Sequence, residues 1–464
     1  MKPEKLSDAI GKIDDDLISG AEKARARKRS KKKIYIGIAA AAACVCLIVT
    51  LSINSLFGRE SIMTASAMQI KAPQYPQMAA YPNDQISQHG EMNYEEYSDS
   101  LDAWQEDRAK QLDQPEGYAD GYEEFFAKTI PQFLSESGDI NGVYSPLNVY
   151  MALCMLSELT DGESRNQIMS LLGVEDIETL RTKASAIWNS SYCDEGTVKS
   201  ILANSVWLDN DIKYVEETMN RLADTYYASS YQGDMGSAEY NAMIQDWINE
   251  QTGGLLKDQV NGIEFDQETV LALASTVYFK AKWHNEFQEG ETKPEVFHSP
   301  SGDIDCDFMH QSDNREYYWS EKFSAVSQYM SGSGSMYFIL PDEGVSLAEL
   351  LEDDSLTRFI FSGYEWQDKE YIKVNLSLPK FDVTSTIDLT EGLQALGVTD
   401  VFNLETSDFS PATKDTDVYL SQAEHSARVT IDEKGCTAAA YTVLMGAGAA
   451  APPDEEIDFV LDRP

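Results

Sequence analysis

"GCTAAAYTVLMGAGAAAPP", residues 435–453, carries no charge in a chain whose formal net charge is −42. Charges crowd both flanks: Asp432, Glu433 and Lys434 before it, Asp454, Glu455 and Glu456 after it. Alone, such a run reads equally as a flexible Ala-rich linker, a buried Ala-rich helix, or a strand whose small side chains must fit a packed sheet. The surrounding segments decide among these.

At 464 residues the chain has room for one large domain with appendages, or for two or three ordinary domains. Hydrophobic residues make up 42% of it and aromatic residues 10%, enough for a packed core. Acidic residues outnumber basic ones 78 to 36. That argues against nucleic-acid binding, which needs basic patches, and against acidic substrates. The cysteines are Cys44, Cys46, Cys154, Cys193, Cys306 and Cys436; they show neither zinc-site spacing nor a dense disulfide framework.

Residues 1–33 reverse the overall balance, with "RARKRSKKK" at 25–33, and read as a basic cytoplasmic tail. The next segment, "IYIGIAAAAACVCLIVTLSINSLF" at 34–57, is uncharged. As a helix it is long enough to cross a ~30 Å hydrocarbon layer. The basic flank then keeps the N-terminus inside, with the rest of the chain displayed at the cell surface as a single-pass membrane protein. A cleaved signal peptide (a secreted product) and a lipoprotein using Cys44 are the alternatives. Residues 58–117, with Pro73, Pro76 and Pro82, read as an extracellular linker in which "EEYSDSLDAWQEDRAKQLDQ" can form a polar helix.

From Tyr118 the pattern is globular. "YEEFFAKTIPQFL" and "VYMALCMLSEL" have helical spacing, and "NSVWLDN", "LALASTVYFKAKW", "MYFILP" and "YIKVNLSLPKF" read as strands. Helices come first and strands dominate later, an α+β arrangement. In order along the chain, "YSPLNVYMALCMLSELTDGESRNQI", "INEQTGGLLKD", "TVYFKAKWHNEF", "LPKFDVTSTIDLTEGLQALGVTDVF", "LSQAEHSARVTIDEKGCTAAA" and "FVLDRP" resemble the motifs of the serpin family, the serine-protease-inhibitor fold. The resemblance covers residues 118–464. It implies a large central mixed β-sheet, further sheets, N-terminal helices and an exposed reactive-centre loop, here the uncharged run. It also implies an inhibitor rather than an enzyme: a protease cleaves the loop, is trapped as an acyl-enzyme, and the freed strand inserts into the sheet. No cofactor, metal or nucleic acid is implied, and the domain is expected to be monomeric.

Within that resemblance, Glu433, Gly435, Cys436, Thr437, Ala438, Ala439 and Ala440 form the hinge, with Gly435 supplying backbone freedom. If Cys436 points into the sheet core, so do Ala438, Ala440 and Thr442, all small and uncharged, while Thr437, Ala439 and Tyr441 point outward. Counting the hinge Glu433 as the first residue, the family's scissile position falls on Ala449, giving a reactive bond Ala449–Ala450. Its methyl side chain suits elastase-like or subtilisin-like proteases. Ser145, Ser275, Trp283 and His425 occupy the family's shutter and breach positions. Ser275 stands where the family has asparagine, and Cys436 where it has threonine. The chain ends at Pro464, where the resemblance implies further buried strands, so a domain lacking its last strands is expected.

An enzyme reading finds little support. The histidines are His89, His284, His298, His310 and His425, and there is no G-x-S-x-G motif. "FHSPSGDIDCDFMH" at 297–310 matches no strong metal spacing and reads as a hairpin with a Ser-Gly turn. A membrane-tethered suicide inhibitor and a non-inhibitory serpin-fold binding module both remain.

Overall fold

The computed structural model describes residues 67–81, 94–135, 140–437 and 455–464, apart from short gaps at 196–197, 258–259, 266, 268, 332–333, 415–417 and 422. The basic tail, the apolar run 34–57, the hinge residues Ala438, Ala439 and Ala440, and the Ala449–Ala450 bond lie outside the described residues. Among the described residues, no helix is long and apolar enough to cross a membrane.

Two sheets dominate. The larger orders its strands β1 (Ala67–Lys71), β4 (Ala228–Gly233), β3 (Val198–Asp209), β5 (Leu271–Lys282), β13 (Gly435–Thr437), β12 (Glu424–Asp432) and β11 (Phe381–Asp388), with β2 (Cys193–Asp194) paired on β3. The smaller runs β14 (Glu456–Val460), β10 (Lys369–Pro379), β7 (Gly302–Trp319), β8 (Phe323–Tyr329) and β9 (Ser335–Pro341), with β6 (Lys293–Ser299) paired on β7. β6 and β7 form a hairpin that turns through Pro300 and Ser301.

The helices that position the site follow from their sequences. α3 (Pro146–Leu159) starts with proline at its first position, where the missing N–H costs nothing, and is apolar nearly all round. It is therefore buried behind the large sheet, with Met151, Cys154 and Met155 fully enclosed in the main core. α5 (Ile177–Ser191) and α6 (Glu216–Tyr226) pack in the same core. α7 (Ala238–Gln251) is capped by Ser237, whose side chain accepts from Tyr240 N, and lies on the opposite face of the sheet. There Tyr240, Ile244 and Trp247 pack against Trp207 and Tyr231. It ends at Gly253 and Gly254, both at positive φ, and a Cβ at Gly253 would lie 3.0 Å from the Tyr278 ring.

The segment read as a linker is partly built into the domain. β1 pairs antiparallel with β4 and adds a strand to the sheet edge. Tyr75 packs among Trp188, Tyr192 and Tyr227. α1 (Tyr94–Leu112) docks through Trp104, which donates to buried Glu195 and meets Tyr81 edge-on. Aromatic side chains bury large areas, so a few suffice to hold a segment whose composition reads as a tether.

Candidate functional site

The site is built around an incomplete row in the large sheet. β13 is three residues long and sits between β5 and β12, pairing antiparallel with both: Cys436 lies opposite Ala281 on one side and Ile431 on the other. Beyond Thr437 no described strand continues the row. β5 and β12 run on past it with a cavity of about 200 Å³ between them. At ~30 Å³ per water that space holds a handful of waters, not a strand. The burial pattern agrees. Phe279 and Ala281, beside β13, are buried, whereas Ser275 and Val277, further along the same face of β5, are only half-buried.

The upper end of the row is pinned by the residues that lead into β13. Trp283, fully buried, donates from its indole Nε1 to Asp432 O at 2.9 Å, and its backbone N–H to Lys434 O at 3.0 Å. Phe287 N donates to Glu433 O at 2.9 Å. The Glu433 carboxylate accepts from Lys380 Nζ at 2.8 and 3.0 Å and from Thr292 Oγ1 at 2.8 Å. Burial pushes its pKa up, but those donors outweigh burial and hold it below the usual range. Gly435 has a stricter role than flexibility: a Cβ there would lie 2.2 Å from Ala281 O. Only glycine lets the two backbones approach so closely. Cys436 is 1% exposed on the inner face, and burial together with Asp432 pushes its thiol up to about 12.

The lower end is polar and closely packed. His425 Nε2 accepts from the backbone N–H of Ser145 at 3.0 Å, and its ring meets Tyr144 edge-on. Burial drives its pKa down to about 4, so the ring is neutral at ordinary pH. Ser145 Oγ and Asn148 Oδ1, both lining the cavity, are buried without a hydrogen-bond partner. Ser275 donates to Asn204 Oδ1 at 2.9 Å, and Asn204 Nδ2 donates to Tyr226 O at 3.0 Å. Asn204 lies directly opposite Ser275 in the β3–β5 ladder. Ser275 thus meets an amide supplied by the neighbouring strand. Sequence reading missed Asn204, although a lone asparagine inside the apolar run "ILANSVWL" was a usable signal.

A protein-family model described as "Serpin (serine protease inhibitor)" matches residues 121–464. The chain belongs to the serpin family. Among similar proteins, the "Alpha-1-antitrypsin-like protein GS55-MS" of Ictidomys tridecemlineatus is 28% identical over 72% of this chain and 81% of its own length. "Serpin-Z2B" of Triticum aestivum is 27% identical over 71% and 86%. Among solved structures, the thermophilic serpin tengpin in its native state superposes with a TM-score of 0.66 at 24% identity, covering 75% of this chain and 89% of its own. Thyroxine-binding globulin in complex with thyroxine shares the fold at 20% identity and a TM-score of 0.62, covering 74% and 93%.

In this serpin the structure joins Ser145 to His425 at the cavity, pairs Ser275 with Asn204, and gathers Trp283, Glu433, Gly435, Cys436 and Thr437 around β13. The remaining histidine-bearing segment forms separate pairs on the β6–β7 hairpin: His298 with Asp303 at 2.7 Å and His310 with Glu295 at 2.9 Å. Among the described residues, no three His, Cys, Asp or Glu side chains are grouped to hold a metal.

Proposed function

We propose that this serpin inhibits serine proteases as a suicide substrate, using the loop that follows β13. The protease serine attacks the Ala449 carbonyl. The Ala449–Ala450 C–N bond breaks, the amine leaves with a proton, and Ala449 remains as an ester on the enzyme. Insertion of the freed strand then removes the ester from hydrolytic geometry. The observation that supports this reading is the short strand β13 already seated between β5 and β12 with unfilled space below it. Continuing its register sets Ala438 between Phe279 and Val429, Ala440 between Val277 and Ala427, and Thr442 between Ser275 and His425. Those inward positions take small side chains, and the Thr442 hydroxyl enters a region where Ser145 and Asn148 lack partners.

The uncharged loop and Ala449 favour elastase-like or subtilisin-like targets. The basic block at 25–33 and the apolar run at 34–57 favour display outside the cell on a single N-terminal helix, with a cleaved, secreted form as the alternative. The test is incubation with pancreatic elastase, a denaturing gel and mass spectrometry. A covalent complex and a peptide beginning at Ala450 are expected. Cleavage without any covalent complex would mark a non-inhibitory serpin-fold module, and a cut confined to the bond after Met445 would refute the site assignment.

A further inference from the structure

We infer that Arg428 latches the sheet closed over the unfilled row and sets how fast a strand can enter it. The inference rests on the insertion reading above and names a residue that controls it. Arg428 lies on β12 and faces outward, opposite to the inward-facing His425 and Ile431. Its Nε and Nη2 donate to the Asp382 carboxylate on β11 at 2.7 and 2.6 Å. Asp382 also accepts from Thr430 Oγ1 at 3.1 Å, so the planar guanidinium is held in a fixed orientation. Its Nη1 donates to the carbonyl of Leu255, in the loop that follows α7.

That loop belongs to the other side of the gap. α7 and Leu256 pack on β3 and β4 through Trp207 and Tyr231, and Gly253 rests over Tyr278 of β5. The link from Arg428 to Leu255 therefore joins the β11–β12 side of the sheet to the elements carried by β3, β4 and β5. Leu255 and Arg428 both line the cavity, so the link lies beside it. In the β13 register, Ala439 falls between Tyr278 and Arg428, directly beneath the link. A full inserted strand holds β5 and β12 two strand spacings apart, roughly 10 Å. A guanidinium fixed to Asp382 cannot follow the Leu255 loop through that separation, so the bond must break before the strand passes. Below β13, Arg428 thus ties the two sides together through donors that reach both, at the point where the loop has only a methyl group to pass.

The test uses the full chain with Arg428→Met, which keeps the length and removes the donors, and with Asp382→Asn, which loosens the guanidinium. Pulsed hydrogen–deuterium exchange is read on peptides covering 271–282 and 424–432, with 369–379 on the small sheet as the internal control. Loss of a charge-assisted bond to a backbone carbonyl should speed exchange in the first two segments by about tenfold or more in Arg428→Met, and by less in Asp382→Asn, with the control unchanged. Exchange in the two segments that is unchanged or slower in Arg428→Met, or equally faster in the control segment, overturns the latch. Protease trapping is scored separately. A wild-type chain that forms no complex would refute the inhibitor reading while leaving the exchange result to stand or fall by itself.

Discussion

Acidification should open this protein first at His425. The imidazole is 4% exposed, accepts from Ser145 N–H at 3.0 Å, and has its pKa lowered by burial to about 4. In the unfolded chain the same group has a pKa near 6.5. Above that value both states are neutral and the group adds no pH dependence. As the pH falls from 6.5 towards 4 the unfolded chain takes up a proton that the folded protein refuses, so stability present at neutral pH is lost across that window. At 1.36 kcal/mol per unit the full loss is about 3 kcal/mol, and between pH 7 and pH 5 it is about 2 kcal/mol. Protonation also sets an N–H against the Ser145 N–H, so the loss falls on the junction between α3 and β12. The measurement is the urea midpoint from pH 7.5 to pH 4.5 for the wild type and for His425→Gln, which accepts the same hydrogen bond without titrating. For a urea slope near 3 kcal/mol/M the wild-type midpoint should fall by somewhat under ~1 M between pH 7 and pH 5. The carboxylates held low, Glu433 by Lys380 and Asp382 by Arg428, lose their contributions only at lower pH. A flat wild-type profile over pH 7 to 5, or an identical decline in His425→Gln, would show that this histidine does not govern acid stability.

Two further substitutions probe the hinge. Gly435→Ala places a methyl group 2.2 Å from Ala281 O and should expel β13 from the sheet, which is checked by faster alkylation of the otherwise buried Cys436 while Cys154 stays protected. Ala440→Glu puts an unpaired carboxylate between Val277 and Ala427 on insertion, so elastase should still cut the loop while the yield of covalent complex falls by at least tenfold.

The parts of the site that could be read in the sequence were those set by side-chain size and order along the chain. Cys436, the tryptophan ending "TVYFKAKW" and the histidine in "EHSARV" stand where one strand meets its neighbours, while the small-residue alternation beyond Thr437 lies outside the described residues. What escaped was whatever depends on backbone atoms or on a partner strand. Gly435 reads as a flexible joint, yet its reason is the carbonyl of Ala281, which no local pattern reveals. Arg428 went unread in the sequence, because its partners, the Asp382 carboxylate and the carbonyl of Leu255, are far away along the chain. The polar helix carrying Trp104 could be read in the sequence, but its docking could not: Tyr75, Tyr81 and Trp104 are spaced without period, so no pattern marks them as anchors.

Positions 204 and 275 share the polar contact between β3 and β5. The amide that bridges strands here comes from Asn204 on β3 rather than from β5, while Ser275 supplies only the hydroxyl that meets it. The two positions are direct cross-strand partners, so their side chains occupy one volume on the inner face, and a donor–acceptor pair can be divided between them either way. The division has a consequence for the unfilled row. Asn204 spends its Nδ2 on Tyr226 O and its Oδ1 on Ser275, and Ser275 has a single hydroxyl proton, already given to Asn204. The inner-face groups Asn204 and Ser275, on the β5 side of the gap, are therefore satisfied between themselves and Tyr226 O. Those on the α3 side are not: Ser145 Oγ and Asn148 Oδ1 remain buried and unpaired. An incoming hydroxyl at position 442 gains most by turning towards α3. The closed sheet thus carries a polar cost at Ser145 and Asn148 that insertion can relieve, on the same side of the gap as the histidine whose neutral form holds α3 to β12.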